Sequence, residues 1–520
     1  MLTIESHGPM ILRIILLLSA ILVLGSSPVR AQTQKMVIQA DQESGTISRH
    51  LYGHFAEHLG RGIYDGIWSG SPGGSWQIRD DVVEALRAIR IPNLRWPGGC
   101  FADYYHWRDG VGPREERATV VNVIWGGVTE DNGVGTHEFM ELVGQLGAEP
   151  IVVGNVGSGT VQEMSQWWEY MNHPGGSPMA DLRRANGHAE PWNVQYWGVG
   201  NESWGCGGNM RPEYYADEYK RFATFLHRYG DVRPFRIAAG AAGDNYEWTD
   251  VVMREAGHMI DGVDLHHYTL RGTWAEKGSA TDFEEADWFE LMRKSLFWDE
   301  LLTRHKTVMD RHDPQKRVWL IAGEWGTWHD PEPGSNPGFL AQQNTLRDAL
   351  SAAVTLDIFH RHLDRVKMAN IAQTVNVLQA MILTRDDQMI LTPTYHVFEF
   401  HTVHHDAVAL PITLDAGEYR HGGAAIPAVS ASASRDQQGR IHVTMTNLDP
   451  NQSRTVEAEI REAGVSGVSG RILTADAMNA HNTFESPETV RPASFMSATL
   501  EGETLSVELP PKSLVVLELQ

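Results

Sequence analysis

Along most of this chain a short run of unbroken apolar residues is followed by a polar pair. A stretch with apolar residues at every third or fourth position then comes next. Unbroken runs of four to eight predict strands buried on both faces, and the longer 3.6-period stretches predict helices laid over them. Eight such strands can be read: LYGHF (51–55), IPNLRW (91–96), PIVVGN (150–155), QYWGVG (195–200), RIAAG (236–240), GVDLHH (262–267), RVWLIAG (317–323) and VKMANIA (366–372). Helical spacing fills 81–89, 136–146, 212–229, 247–255, 283–310 and 344–362, with a last helix at 394–404. Thr160 with Glu163 predicts a capping box that starts a helix carrying Trp167, Trp168 and Tyr170.

Eight strand–helix repeats predict an α/β fold, a closed (β/α)₈ TIM barrel over residues 50–405. An open doubly wound sheet shows the same alternation, but it brings a glycine-rich phosphate turn after its first strand, and LYGHFAEHLG has none. Near residue 410 the chain becomes poor in helix formers and rich in Ser, Thr, Val and Gly. Short alternating runs such as IHVTMTNL, TVEAEIRE, LSVELP and SLVVLELQ then predict a C-terminal antiparallel β-sandwich, jelly-roll-like, over 406–520. A lone strand within 32–49 has no place in the barrel and is expected to complete that sandwich.

Arg13 followed by the apolar run 14–24, with small residues near 31, has the pattern of a signal peptide over residues 1–31. The corresponding expectation is export to the periplasm or the medium, with no membrane association after cleavage. A net charge of −23 argues against nucleic acid as a partner, because phosphates would be repelled. Two cysteines, Cys100 and Cys206, form no disulfide framework; free thiols are the expected state, with a Cys100–Cys206 disulfide in an oxidising compartment as the alternative.

In a barrel of this kind, reactive side chains project from the C-terminal strand ends. WGVGNES ends one strand at Asn201 and Glu202, and WLIAGEW ends another at Glu324, each acid lying between tryptophans. Two carboxyls about 5 Å apart, one protonated and one ionised, are what retaining glycoside hydrolysis requires. Asn201 is placed to donate a hydrogen bond to a sugar 2-hydroxyl. Adjacent His266 and His267 point to opposite faces of a strand and no HExxH spacing occurs, so no metal and no cofactor are expected. Ser203 is not in a GxSxG elbow, which excludes a serine hydrolase.

The motifs LYGHFAEHLGRGIYDGIW, LRWPGGCFADYYHWRDGVGP, WGVGNESWGCGGNM, DLHHY, GEWGTW and NIAQTVNVLQA occur in this order over nearly the whole chain. Together they resemble the α-L-arabinofuranosidases of glycoside hydrolase family 51. That resemblance implies a barrel with a C-terminal sandwich, Glu202 as acid/base and Glu324 as nucleophile. It also implies a sugar-binding set of Glu57, Cys100, Trp125, Asn201, Tyr268, Trp328 and Gln373, and it allows a homo-oligomer. The expected activity is a retaining, exo-acting removal of terminal non-reducing α-L-arabinofuranosyl groups from arabinoxylan, arabinan or arabino-oligosaccharides. An endo-glucanase or β-xylosidase on the same fold, or a non-catalytic carbohydrate-binding protein, stays open as an alternative.

Overall fold

The structure, a computed structural model, describes residues 33–462 and 464–520. The leader expected over 1–31 therefore lies outside the described residues. Eight parallel strands close on themselves: β1 (Gly53–Phe55), β2 (Asn93–Trp96), β3 (Glu149–Gly154), β4 (Tyr196–Val199), β5 (Phe235–Ala242), β6 (Gly262–Thr269), β7 (Trp319–Thr327) and β8 (Val366–Ala372). Each pairs with its successor and β8 returns to β1, so the sheet is a TIM barrel with no free edge. Helices cover its outside, which is why the strands read as unbroken apolar runs.

Local signals explain where those helices start. Asp80–Ala88 opens on two acids that favour the positive end of the helix dipole, and it buries Val82, Val83, Ala85 and Leu86. Thr160 accepts the Glu163 backbone N–H and begins Val161–Asn172. The helix expected over 212–229 stops at Ala223. Beyond it the chain turns to bury Leu226 and brings Tyr229 into an antiparallel bridge with Val232.

The C-terminal part is two packed sheets. One runs in the order Val408–Ala409, Val429–Arg435, Ile441–Asn447, Ser513–Leu519, Val468–Leu473, Ala493–Phe495. The other places the N-terminal strand Gln34–Ile38 between Ile412–Leu414 and Arg454–Ile460. Gln34–Ile38 is antiparallel to the first and parallel to the second, so this sheet is mixed rather than purely antiparallel. Among the described residues no helix is long and apolar enough to cross a membrane.

The helix Leu346–Arg361 lies between barrel and sandwich, and every residue from Leu346 to His360 is buried. Its polar side chains are consequently paired across the seam. The Asp357 carboxylate accepts the Ser430 hydroxyl at 2.7 Å and the Thr444 hydroxyl at 3.3 Å. His360 Nδ1 bonds Ser432 Oγ at 2.7 Å, and its Nε2 meets the Tyr52 hydroxyl at 2.6 Å. His404 Nδ1 bonds Ser434 Oγ at 2.7 Å.

Burial holds His360 and His404 well below the ordinary imidazole value, His401 at about 4 and His405 at about 3. Each stays neutral in the fold and regains a value near 6.5 on unfolding. Below that pH the unfolded chain binds more protons than the native one, so stability falls. Asp357, pushed up to about 7 by burial, acts in the opposite sense, but it is one group against four. We expect the unfolding temperature to drop steadily from pH 7 to pH 5, with a net uptake of protons on unfolding. Differential scanning calorimetry across that range checks this, and a flat or rising melting temperature would refute it.

Candidate active site

The loops that follow the strands at their C-terminal ends converge on one cavity of about 770 Å³. At its base lies Arg95, from β2. Its side chain is fully buried, and its guanidinium donates to Glu324 Oε1 at 2.7 Å and to Asn201 Oδ1 in a shorter bond. The Tyr268 hydroxyl, from β6, donates to the other Glu324 oxygen at 2.8 Å. Room for these carboxylates comes from the double glycine after β2. A Cβ on Gly99 would fall 2.6 Å from Glu324 Oε1, and one on Gly98 would fall 2.6 Å from Glu57 Cγ.

Glu202 follows β4 with its backbone at φ 40°, a left-handed conformation costly for a residue with a side chain. The segment is held by Asp103, whose carboxylate accepts the backbone N–H groups of Asn201 (2.9 Å), Val156 (2.7 Å) and Gly157 (2.8 Å). Glu202 Oε1 bonds His266 Nδ1 at 2.9 Å, and that nitrogen also lies 3.5 Å from Glu324 Oε1. One oxygen each from Glu202 and Glu324, together with a nitrogen of His266, all lie within 4.8 Å of one another.

Burial raises the Glu202 carboxyl above the ordinary carboxylate range, and Glu324 adds to this, although the His266 bond opposes it. Burial alone would lower His266. The carboxylates of Glu324, Asp264 and Glu202 outweigh it and push the imidazole up to about 10. A cation thus sits between the two acids. Glu57 is pushed up to about 7, by burial first and by Glu324 second.

The expected sugar-binding residues are brought together here. Glu57 accepts the Trp125 indole N–H at 2.8 Å and the Gln373 amide at 3.0 Å, and it also accepts the Phe101 backbone N–H. Trp328 stands edge-on to Tyr268 at 4.8 Å and to Trp274 at 5.2 Å. Asn201 sits beneath the cavity rather than lining it, and among the described residues its buried Nδ2 has no hydrogen-bond partner, nor has Gln373 Oε1. The cysteines depart from expectation: Cys100 and Cys206 form a disulfide. The loops after β2 and β4 meet at the cavity rim and carry the two sulfurs into contact, which their separation in sequence does not reveal. Glu202 Oε2 lies 3.4 Å from Cys206 Sγ and 3.7 Å from Cys100 Sγ, and the bonded sulfurs have no proton to donate.

Reasoning from sequence missed Arg95, Asp103 and the role of His266. A signal existed for two of them. His266 shares with Asp264 and Tyr268 the inward face of β6 by simple alternation, and Arg95 is the one charged residue in the fully buried strand β2. His267 faces the other way and packs against Phe297 and Trp298.

Comparison with known proteins bears on the whole chain. Residues 85–285 match the α-L-arabinofuranosidase 1 domain, and residues 323–513 match the α-L-arabinofuranosidase C-terminal domain. A Bacteroides ovatus relative named an intracellular exo-α-L-arabinofuranosidase is 49% identical, over 97% of this chain and 99% of its own. A Halalkalibacterium halodurans relative named an intracellular exo-α-(1→5)-L-arabinofuranosidase is 30% identical, over 74% of this chain and 79% of its own. The crystal structure of the family 51 arabinofuranosidase from Xanthomonas axonopodis pv. citri superposes with a TM-score of 0.92 at 49% identity, covering 94% of this chain and all of that one. The names of the first two overturn the expectation of a secreted protein with a signal peptide. The apolar run at 14–24 meets the length rule for a signal segment, but length and apolarity describe only that stretch and do not by themselves fix a compartment. With both family domains matched and a 49% identical relative aligned over nearly its full length, the chain belongs to the α-L-arabinofuranosidases of glycoside hydrolase family 51.

Proposed function

We propose that this chain is a retaining, exo-acting hydrolase of terminal non-reducing α-L-arabinofuranosyl groups on arabinoxylan, arabinan or arabino-oligosaccharides. Glu324 is the nucleophile and Glu202 the acid/base. The observation that carries this reading is the separation of the two carboxyls, whose nearer oxygens lie within 4.8 Å. Retaining enzymes need about 5 Å, whereas inverting ones need room for a water between the acids.

The two environments support the division of labour. Glu324 receives two hydrogen bonds, from Arg95 and Tyr268, and both favour the anion that must attack the anomeric carbon. Glu202, its carboxyl raised by burial, keeps the proton that the departing oxygen needs. Attack by Glu324 forms an arabinosyl ester as Glu202 gives up that proton. Glu202 then takes a proton from water as the water opens the ester. The free Nδ2 of Asn201 is suited to the sugar 2-hydroxyl. Glu57, Trp125 and Gln373 form a hydrogen-bonded wall for the other hydroxyls, and Trp328 with Tyr268 supplies an aromatic face. A cavity walled in this way supports recognition of a chain end.

Glu202→Ala is expected to lose about 10²–10⁴-fold in kcat on natural linkages, and Glu324→Ala to lose nearly all turnover. With an activated aryl arabinofuranoside, azide should rescue Glu202→Ala and give the arabinosyl azide with the configuration of the substrate. An azide of inverted configuration from that variant would exchange the two roles.

The raised Glu202 carboxyl sets the alkaline limb of the rate profile, since the acid is lost as pH climbs past its value. In Glu202→Gln, measured on a substrate with a good leaving group, that limb should vanish. Persistence of the same limb would remove Glu202 from the acid role. Product analysis on linear arabino-oligosaccharides should show arabinose and the chain one residue shorter as the only early products. Early appearance of fragments from internal cuts, or turnover of a linear glucan instead, would favour the endo-acting alternative.

A further inference from the structure

Beside Glu202 lie the two sulfurs of the Cys100–Cys206 disulfide, one carried by the loop after β2 and the other four residues beyond Glu202 itself. Both sulfurs and a carboxylate oxygen of Glu202 lie within 4.8 Å of one another. We propose that reduction of this disulfide turns Cys100, Cys206 and Glu202 into a binding site for a soft divalent cation of the zinc–cadmium type. Occupation of that site switches the hydrolase off.

The geometry is close to that of such a site before anything moves. A tetrahedral zinc with metal–sulfur bonds of ~2.3 Å and metal–oxygen bonds of ~2.1 Å spans about 3.6 Å from sulfur to oxygen. The two distances from Glu202 Oε2 are 3.4 and 3.7 Å. Only the sulfurs must part, to about 3.8 Å. Rotation about their Cα–Cβ bonds supplies this, with the two Cα atoms 5.5 Å apart. Glu202 Oε1 is already held by His266, which leaves Oε2 for the ion. Cys100 and Glu202 both line the cavity, so the fourth position opens toward solvent.

The chemistry balances with a phosphine as reductant. The phosphine takes up oxygen from water to become its oxide, the S–S bond breaks, and the two protons of that water end on the two sulfurs. Metal binding then releases those protons to solvent, because the ligand is the thiolate. Thiolates select soft cations over magnesium or calcium. A carboxylate bound to the ion can no longer protonate a leaving group. The loss of activity therefore rests on the role proposed for Glu202, whereas the binding itself does not.

The test uses the full chain, reduced with a water-soluble phosphine without oxygen and titrated with cadmium. The reduced protein should show the ultraviolet thiolate-to-cadmium charge-transfer band, saturating at one ion per chain. At saturation, turnover of an aryl arabinofuranoside should fall at least tenfold and return on addition of a chelator. The oxidised protein should show neither effect, and Cys206→Ser should show no band and no response to cadmium relative to its own metal-free rate. Circular dichroism before and after reduction verifies that the fold persists, and Cys206→Ala repeats the test should the serine variant not fold. A missing band in the folded, reduced protein, or an unchanged band in Cys206→Ser, would overturn the site. A normal band with undiminished turnover would overturn the switch, and the azide experiment on Glu202→Ala then tells whether the catalytic role fails with it.

Discussion

Two acids that line one cavity repel each other, and the rest of this active site is arranged around that repulsion. Within 4.8 Å and at an effective dielectric near 20, two carboxylates oppose one another by at least about 3 kcal/mol before any cost of burial. Arg95 and His266 are the counterweights: one bonds Glu324, and the other stands between Glu324 and Glu202. Asp264 then steadies the pair of cations, 3.2 Å from His266 and 3.7 Å from Arg95. Burial would raise its carboxyl, yet these two neighbours hold it below the ordinary value. The result is an alternating lattice of charge in which removing one member leaves another buried and unpaired.

That lattice explains features of the chain that lie outside the chemistry. The double glycine at 98–99 is needed because any side chain would collide with Glu57 or Glu324. Asp103 spends its carboxylate on backbone N–H groups and so fixes the turn that carries Glu202 in its left-handed conformation. Aromatic rings close the cavity above these charges, and Trp328 meets both Tyr268 and Trp274 edge-on.

Much of this was legible in the sequence, because a barrel strand is buried on both faces and so writes itself as an apolar run. All eight barrel strands fall on stretches read as strands, although β2 and β6 carry charged and polar residues within them, and the helix at Thr136–Leu146 matches its expected span. The sandwich was harder. Val429–Arg435, VSASASR, alternates between small residues instead of between large apolar and polar ones, since its serines bond Asp357, His360 and His404 across the seam. The helix Pro178–Ala185 was passed over although Ser177 caps it and proline opens it. In the site, the carboxylates were found because they lie close to strand ends among tryptophans, although β7 runs on past Glu324 to Thr327. Arg95 and His266 act by contact across the barrel, and such contacts exist only once β2, β6 and β7 have closed around them. The disulfide is of the same kind: nothing in the spacing of two cysteines says that two loops will meet.

The strand Gln34–Ile38 is among the first parts of the described chain to leave the ribosome, yet Arg454–Ile460, beside which it lies, is among the last. Throughout synthesis of the barrel it must wait with its backbone N–H and C=O groups unpaired, an adhesive edge of the sort that invites wrong partners. Pairing over so long a separation is also slow. This sheet can therefore close around Gln34–Ile38 only after Arg454–Ile460 has been made.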